Sequence, residues 1–487
     1  MKNNIFLYLM LTCLTLFSSC SEDIMDRINE NVDNSTNMAS KFIITDVMTS
    51  TAFRTVGTDL AFYASIYIEH NVGIYGQMYN AEIRQSEPTS SSTYNNAWES
   101  TYTNLFNLKD IIAKCSEGGS EEGNYHTLGI AQILTAYNLA ILTDAFGDIP
   151  WSEALQPGII YSPKLDTQEE IYDDIFALLN DAISNLEKTS EFDALGTQDL
   201  IYGTTDDGTI DANSIVKWKK FANGLLARYT LRLSKINPQY QAVIDYANKS
   251  FTNSAEEAKF KYNNSTSFSP FSRFLKDRDY FGASESFIQK LDEREDPRKE
   301  IFYGDEELVI APNGTPDQKQ GVYTKSQISI PTAPTYFLSY HEIEFLKAEA
   351  YARLNNLDNA QESLRKAIIA ASSKSNINLA GDDSGQYAEQ IIEERGSSLS
   401  SILAEIMIQK YIGFYEEEAF EAYNDFRRLK ANGENFITLN NPKNANQFPL
   451  RYTYGSSDVT TNTNIADIIG DGTYVYSKNV WWAGGSN

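Results

Sequence analysis

The sequence predicts a mainly α-helical fold, in which helix pairs of the tetratricopeptide kind form a scaffold beside loops with a few short strands. Two observations predict it. Apolar residues recur at spacings of three and four through several long segments, which places them on one face of a helix. Ala348, Tyr351, Ala360, Leu364 and Ala367 also stand at offsets 0, 3, 12, 16 and 19. These are the small, aromatic, small, large and small positions of a tetratricopeptide helix pair. Small residues let two antiparallel helices approach closely, and large ones fill the gap opposite. Asn355-Asn356-Leu357-Asp358 supplies the turn. No clean repeat of roughly 34 residues recurs elsewhere, so any further pairs are degenerate and separated by insertions.

The elements follow in chain order. Lys2, an apolar run over residues 5–17 and the small pair Ser18-Ser19 make a secretory signal ahead of Cys20. The run of 13 residues is too short for a bilayer core, which needs roughly 20. A cysteine directly after such a cut resembles a bacterial lipoprotein signal, although Phe17 stands where leucine is usual. Lipid on the Cys20 thiol would anchor the chain, and two or more acyl chains would make that attachment stable. The polar stretch from Ser21-Glu22-Asp23 to about Ser40 reads as a flexible tether.

Over residues 93–114, Trp98, Tyr102, Leu105, Leu108 and Ile112 share a helix face. A second helix over 128–146 stops at Gly147-Asp148-Ile149-Pro150. Thr167 before Gln168-Glu169-Glu170 is an N-cap with a capping box, for a helix to about Leu186. Trp218, Phe221, Leu225 and Tyr229 mark another. Residues 196–213 read as a polar loop. Residues 263–279 and 307–334 read as long loops with short strands, the places where function usually sits.

Composition narrows the function. Hydrophobic residues make up 42% and aromatic ones 12%, enough for a sizeable core. Net charge is −26, which argues against nucleic acid and against charge-driven docking on anionic membrane. No second stretch approaches the length of a membrane span, so the mature chain is expected to be soluble apart from its anchor. Of the three cysteines, Cys13 leaves with the signal and Cys20 carries lipid. Cys115 is then alone and reads as a packed helix residue.

Catalytic chemistry finds little support. His70, His126 and His341 are the only histidines, and none stands in a metal-ligand spacing. There is no G-x-S-x-G elbow. His341 reads as a capping or packing residue. Asp206-Asp207-Gly208 with Asp211 offers oxygen ligands for Ca²⁺ but lacks the alternating acids of a calcium loop, which favours a solvated acidic loop. Glu416-Glu417-Glu418 and Arg427-Arg428 read as surface charge on helices with some pairing. No cofactor and no resident metal are expected.

Ligand binding fits better. The chain has 30 Tyr and 25 Phe against 5 Trp, and tyrosine joins a flat apolar face to a polar tip. Candidate contacts are Tyr75 and Tyr79 in Tyr75-Gly76-Gln77-Met78-Tyr79-Asn80, then Trp98, Tyr280 with Phe281, and Tyr323. Trp98 equally suits a core.

Five segments together resemble the SusD/RagB family of Bacteroidetes outer-membrane nutrient-binding lipoproteins. They are the signal at Cys20; Ala136-Tyr137 through Phe146-Gly147-Asp148-Ile149-Pro150-Trp151; Lys217-Trp218-Lys219-Lys220-Phe221-Ala222-Asn223 with Leu225 and Arg228; Tyr340-His341-Glu342-Ile343 with Lys347-Ala348-Glu349-Ala350-Tyr351; and Gln409-Lys410-Tyr411 with Glu418-Ala419-Phe420 and Phe426-Arg427-Arg428. The closing Val480-Trp481-Trp482 fits the SusD-like subgroup. The chain departs from the pattern in a longer, more acidic insert at 204–214, in Arg451-Tyr452-Thr453-Tyr454 without the usual proline, and at Tyr423-Asn424-Asp425.

The resemblance implies four tetratricopeptide-like units against a loop-rich half that holds the ligand. It also implies a SusC-like TonB-dependent transporter as partner, an oligosaccharide or peptide as ligand, and a lipid-anchored place on the outer membrane, facing outward. The domain division is then a signal peptide at 1–19, a lipidated tether at 20–40 and one SusD-like helical domain at 41–487. Two other functions stay open: a tetratricopeptide-type scaffold that binds protein alone, and a surface glycan hydrolase.

Overall fold

A computed structural model describes residues 38–85 and 92–485. The signal segment, Cys20 and the tether as far as residue 37 lie outside the described residues.

The chain enters with α1 (Ser40–Ser50), a π-helical turn (Thr51–Val56) and α2 (Asp59–Tyr67). β1 (Asn71–Gly73) and the short α3 (Gly76–Glu82) follow. The scaffold then runs through α4 (Asn95–Cys115), α5 (Tyr125–Phe146), α6 (Gln168–Leu186), α7 (Ser214–Arg232) and α8 (Tyr240–Ala247). Each of these helices packs on the next. The loop-rich part holds β2 (Ala258–Phe260), α9 (Pro270–Arg278), β3 (Phe281–Ala283), α10 (Glu285–Asp292), α11 (Arg298–Tyr303) and β4 (Thr335–Leu338). The scaffold resumes with α12 (Tyr340–Arg353), α13 (Leu357–Ser372), α14 (Gly381–Arg395), α15 (Leu399–Gly413) and α16 (Ala419–Ala431). α12 packs on both α8 and α13, so the two runs of helices join.

The local signals explain these elements. Thr167 accepts from the Glu170 backbone N–H at 3.3 Å while the Glu170 carboxylate accepts from the Thr167 N–H at 3.0 Å, a complete capping box. Gly147 ends α5 at φ +84°, and a Cβ there would meet the Arg451 guanidinium at 2.4 Å, so glycine alone fits. Ala348, Ala360, Leu364 and Ala367 are all fully buried between α12 and α13. Cys115 is buried at the end of α4, and burial pushes its thiol up to about 11, well away from a reactive thiolate.

Three expectations need correction. Within 263–279 the chain forms α9, with Pro270 in its first turn and Phe271, Phe274 and Leu275 at helical spacing. α5 is long and apolar enough to cross a membrane, contrary to the expectation that no second stretch reaches that length. Apart from Tyr125 and His126 at its start it is buried inside the protein, packed against α4 and α6.

The third correction concerns Glu416, Glu417, Glu418, Arg427 and Arg428, which are buried rather than on a helix surface. Glu418 accepts from the Ser339 hydroxyl at 2.6 Å and lies 2.7 Å from His341 and 3.3 Å from Lys374. Glu417 pairs with the same lysine at 3.1 Å. Arg428 forks onto Glu349 at 2.8 and 2.7 Å, and Arg228 likewise grips Glu342 at 2.7 and 2.5 Å. Arg427 donates to the Asp144 and Leu450 carbonyls and lies over the rings of Tyr423 and Trp482. Burial costs each charge several kcal/mol unless partners return it, and those partners stand dozens of residues away in sequence. Arg228, Glu342, Glu349, Glu417, Glu418, Arg427 and Arg428 are thus a polar clamp within the scaffold.

Glu416 behaves differently. Its carboxylate accepts from Ser329, yet burial pushes it up to about 7, with Glu417 adding to the rise. A carboxyl raised above its ordinary 4.5 contributes stability below that value and loses it as pH climbs through about 7. The free energy of unfolding, read by urea titration, is therefore expected to fall between about pH 5 and pH 8, and Glu416→Gln to remove on the order of 3 kcal/mol of that fall. An unaltered pH slope in the variant would show that Glu416 is ionised throughout.

Candidate ligand-binding site

β1 and β3 pair antiparallel, with Asn71 opposite Ala283, Val72 opposite Gly282 and Gly73 opposite Phe281. The ladder extends one step further, where the Ile74 N–H donates to the Tyr280 carbonyl at 2.8 Å. This register brings Tyr75 and Tyr280 together, with ring centroids 5.5 Å apart and planes tilted by 47°. Between them Gly76 takes φ +55°, and a Cβ there would touch the Tyr280 ring at 2.9 Å. Tyr75 is 38% exposed and Tyr280 half-buried.

Polar groups rim the pair. The Arg278 guanidinium lies 5.9 Å from the Tyr280 ring centre. Asp279, held at φ +42°, accepts from the Gly321 N–H at 2.7 Å and pairs with Lys325 at 3.1 Å. Gln320 donates to the Arg278 carbonyl at 2.7 Å. The loop around residue 320 is thus stapled to the corner that carries Tyr280. Beneath, the buried Glu82 carboxylate accepts from the Gly314 N–H at 2.6 Å and the Gly73 N–H at 3.3 Å, tying that loop to β1. Burial pushes Glu82 up to about 7, against the pull of Arg84.

The other candidates divide. Tyr323 is half-buried, packs against Val72, Ile74 and Ala311, and accepts at its hydroxyl from the Asp317 N–H at 2.9 Å. It shapes the loop and leaves a partial face. Tyr79 is half-buried one turn along α3 and makes no ring contact with Tyr75 or Tyr280. Trp98 is 1% exposed, packed edge-on against Phe146 at 4.9 Å with its indole N–H donating to Asp458 at 2.7 Å. Phe281, also 1% exposed, packs among Phe62, Phe271 and Phe274. These two belong to the core, since their faces are spent on other rings. Sequence reading missed Phe274, Arg278, Gln320 and Lys325. The signal that could have found the first two is the proline-led helical spacing of α9.

Ser339, His341 and Glu418 hold the residue types of a hydrolase triad, but not its geometry. Ser339 and Glu418 both meet the same histidine nitrogen, Nε2, at 3.0 and 2.7 Å. A relay needs the acid on one ring nitrogen and the serine on the other. All three are buried, and Ser339 caps α12 by accepting from the Glu342 N–H. His341 therefore packs and pairs.

The acidic loop is also satisfied, by neighbouring lysines and by its own threonines. Asp206 pairs with Lys261 at 2.5 Å, Asp211 with Lys217 at 2.7 Å, and Asp207 accepts from Thr205 and Thr209. Chelation with EDTA is expected to leave the melting temperature unchanged; a drop would reveal a structural cation. Among the described residues no group of three His, Cys, Asp or Glu side chains could hold a metal.

The family model described as starch-binding associating with outer membrane matches residues 31–455. A SusD/RagB family protein from Bacteroides thetaiotaomicron VPI-5482 is 41% identical, covering 93% of this chain and 100% of its own, with a TM-score of 0.85. A SusD homolog from Bacteroides fragilis NCTC 9343 is 19% identical over 92% of this chain and 100% of its own, with a TM-score of 0.72. A chitin-binding SusD homolog from Flavobacterium johnsoniae is 17% identical over 91% and 98%, with a TM-score of 0.71. The last two share the fold. No curated protein matches the chain. On the extent of the family match and the 41% identical relative, this protein belongs to the SusD-like family of the SusD/RagB proteins.

Proposed function

We propose that this protein captures an oligosaccharide outside the cell and passes it to a SusC-like TonB-dependent outer-membrane transporter, without cleaving it. Lipid on Cys20 and the tether to about residue 40 would hold it at the outer membrane, facing outward. The observation that carries the reading is the Tyr75–Tyr280 pair, an aromatic corner with Tyr75 exposed and Tyr280 half-buried, rimmed by Arg278, Asp279, Gln320 and Lys325. Pyranose rings present apolar C–H faces to such rings, and their hydroxyls meet the mixed donors and acceptors at the rim. The family description as starch-binding and the chitin-binding relative favour glycan over peptide. Ligand would favour a state closed over the transporter only through its differential affinity for that state.

The test is calorimetric titration of the mature protein with maltooligosaccharides, chitooligosaccharides and short peptides, with mass spectrometry of the mixture. Saturable binding of a sugar with no new product is expected. Peptide binding alone, or released product, would overturn the reading.

A further inference from the structure

A polar cavity of about 490 Å³ lies between the acidic loop of residues 204–214, the first turn of α7, β2 and the segment ahead of β4. Its size is that of a small-ligand site. It shares no lining residue with the Tyr75–Tyr280 corner. Three lysines line it: Lys217 at the start of α7, and Lys259 and Lys261, two residues apart along β2 and its continuation and so on one face of the strand.

The carboxylate partners of these lysines are not equivalent. Asp211, which holds Lys217 at 2.7 Å, is buried. So is Glu257, which holds Lys259 at 2.9 Å and also accepts from the Tyr340 N–H at 3.0 Å. Asp206 reaches Lys261 at 2.5 Å from the outside, with its side chain 92% exposed and that of the lysine 55% exposed. Such a pair adds little and exchanges readily. Lys261 is therefore the cation that an incoming anion can claim, and the Asp206 carboxylate marks where that anion would sit.

The rest of the lining names the body of the ligand. The hydroxyls of Thr204, Ser254, Thr332 and Ser375 line the same cavity and make no hydrogen bond among the described residues. A bare anion would leave them to water, whereas a sugar bearing a carboxylate engages the hydroxyls and the lysine together. We propose that this cavity is a second ligand site, for a carboxylate-bearing sugar such as a uronic acid, and that the ligand displaces Asp206 from Lys261. The site goes beyond the capture reading above and does not depend on the tyrosine corner.

The experiment titrates the mature protein with digalacturonate, with its uncharged dimethyl ester, with acetate and with triglutamate. Digalacturonate is expected to bind saturably and at least about tenfold more tightly than the ester. Lys261→Met should cost about tenfold. Asp206→Asn should tighten binding about threefold, because it removes the internal competitor. Both side chains are exposed, so both variants should fold. An ester that binds as tightly as the acid would overturn the inference, as would weaker binding to Asp206→Asn, which would make Asp206 an acceptor for a neutral sugar. Acetate or triglutamate binding as tightly as digalacturonate would also overturn it. No binding of digalacturonate, beside saturable binding of a neutral oligosaccharide, would overturn this inference and leave the capture reading standing.

Discussion

Replacing Arg428 with methionine should lower the free energy of unfolding by about 3–5 kcal/mol. Arg428 and Glu349 are both fully buried, joined by two parallel hydrogen bonds at 2.8 and 2.7 Å. Burial pushes the Glu349 carboxyl up, and Arg428 with Arg353 more than offsets it, leaving it at about 2. Without Arg428, Glu349 keeps Arg353 at 2.7 Å, and Asp425 keeps Lys410 at 2.5 Å. Arg428→Lys should recover little, because an ammonium cannot fork onto a carboxylate. The double variant Arg428→Met, Glu349→Leu should recover most of the loss, since removing both charges ends the desolvation cost. Urea unfolding followed by circular dichroism reads all three. A single variant as stable as wild type would mean that water reaches this pair. The sign with pH is also fixed. A carboxyl depressed to about 2 gives stability that is present above its ordinary 4.5 and lost as pH falls through the depressed value.

Truncating Tyr280 to alanine should weaken glycan binding about ten- to a hundredfold, and Tyr75→Ala by a comparable factor. The rings touch each other, so the two losses should be less than additive. Stability should fall little for Tyr75, which is already 38% exposed. For Tyr280 the loss of its contact with Phe274 should cost about 1–2 kcal/mol. Trp98→Ala is the contrast. That ring fills a core site against Phe146 and Tyr454, so its removal should cost about 3–5 kcal/mol. Any loss of binding there would follow the loss of fold. Unfolding curves alongside binding isotherms separate the two kinds of aromatic residue.

These contrasts show what was legible beforehand. Helix faces could be read because their residues are local: the capping box at Thr167 and Glu170 and the small-residue seam of Ala348, Ala360 and Ala367 all appear where spacing put them. Burial of charge could not be read. Glu418 is an acid on a charged run until His341 and Lys374 arrive from 77 and 44 residues away. Tyr75 and Tyr280 were each visible as loop aromatics, but their meeting depends on a strand pairing of three residues a side, too short for alternation to signal. Trp98 and Phe281 carry the same ring chemistry as Tyr75 and Tyr280. Only packing distinguishes them, and the α9 helix, whose Phe274 meets Tyr280, was hidden in a segment dense with serine and phenylalanine.

The most direct test of the account is a paired titration of wild type and the Tyr75→Ala, Tyr280→Ala double variant with the oligosaccharide that binds best, alongside mass spectrometry. The account predicts saturable binding to the wild type, none measurable to the folded double variant, and intact ligand in both samples. Undiminished affinity in the double variant would place the ligand elsewhere on the protein, and cleaved ligand would make the protein an enzyme.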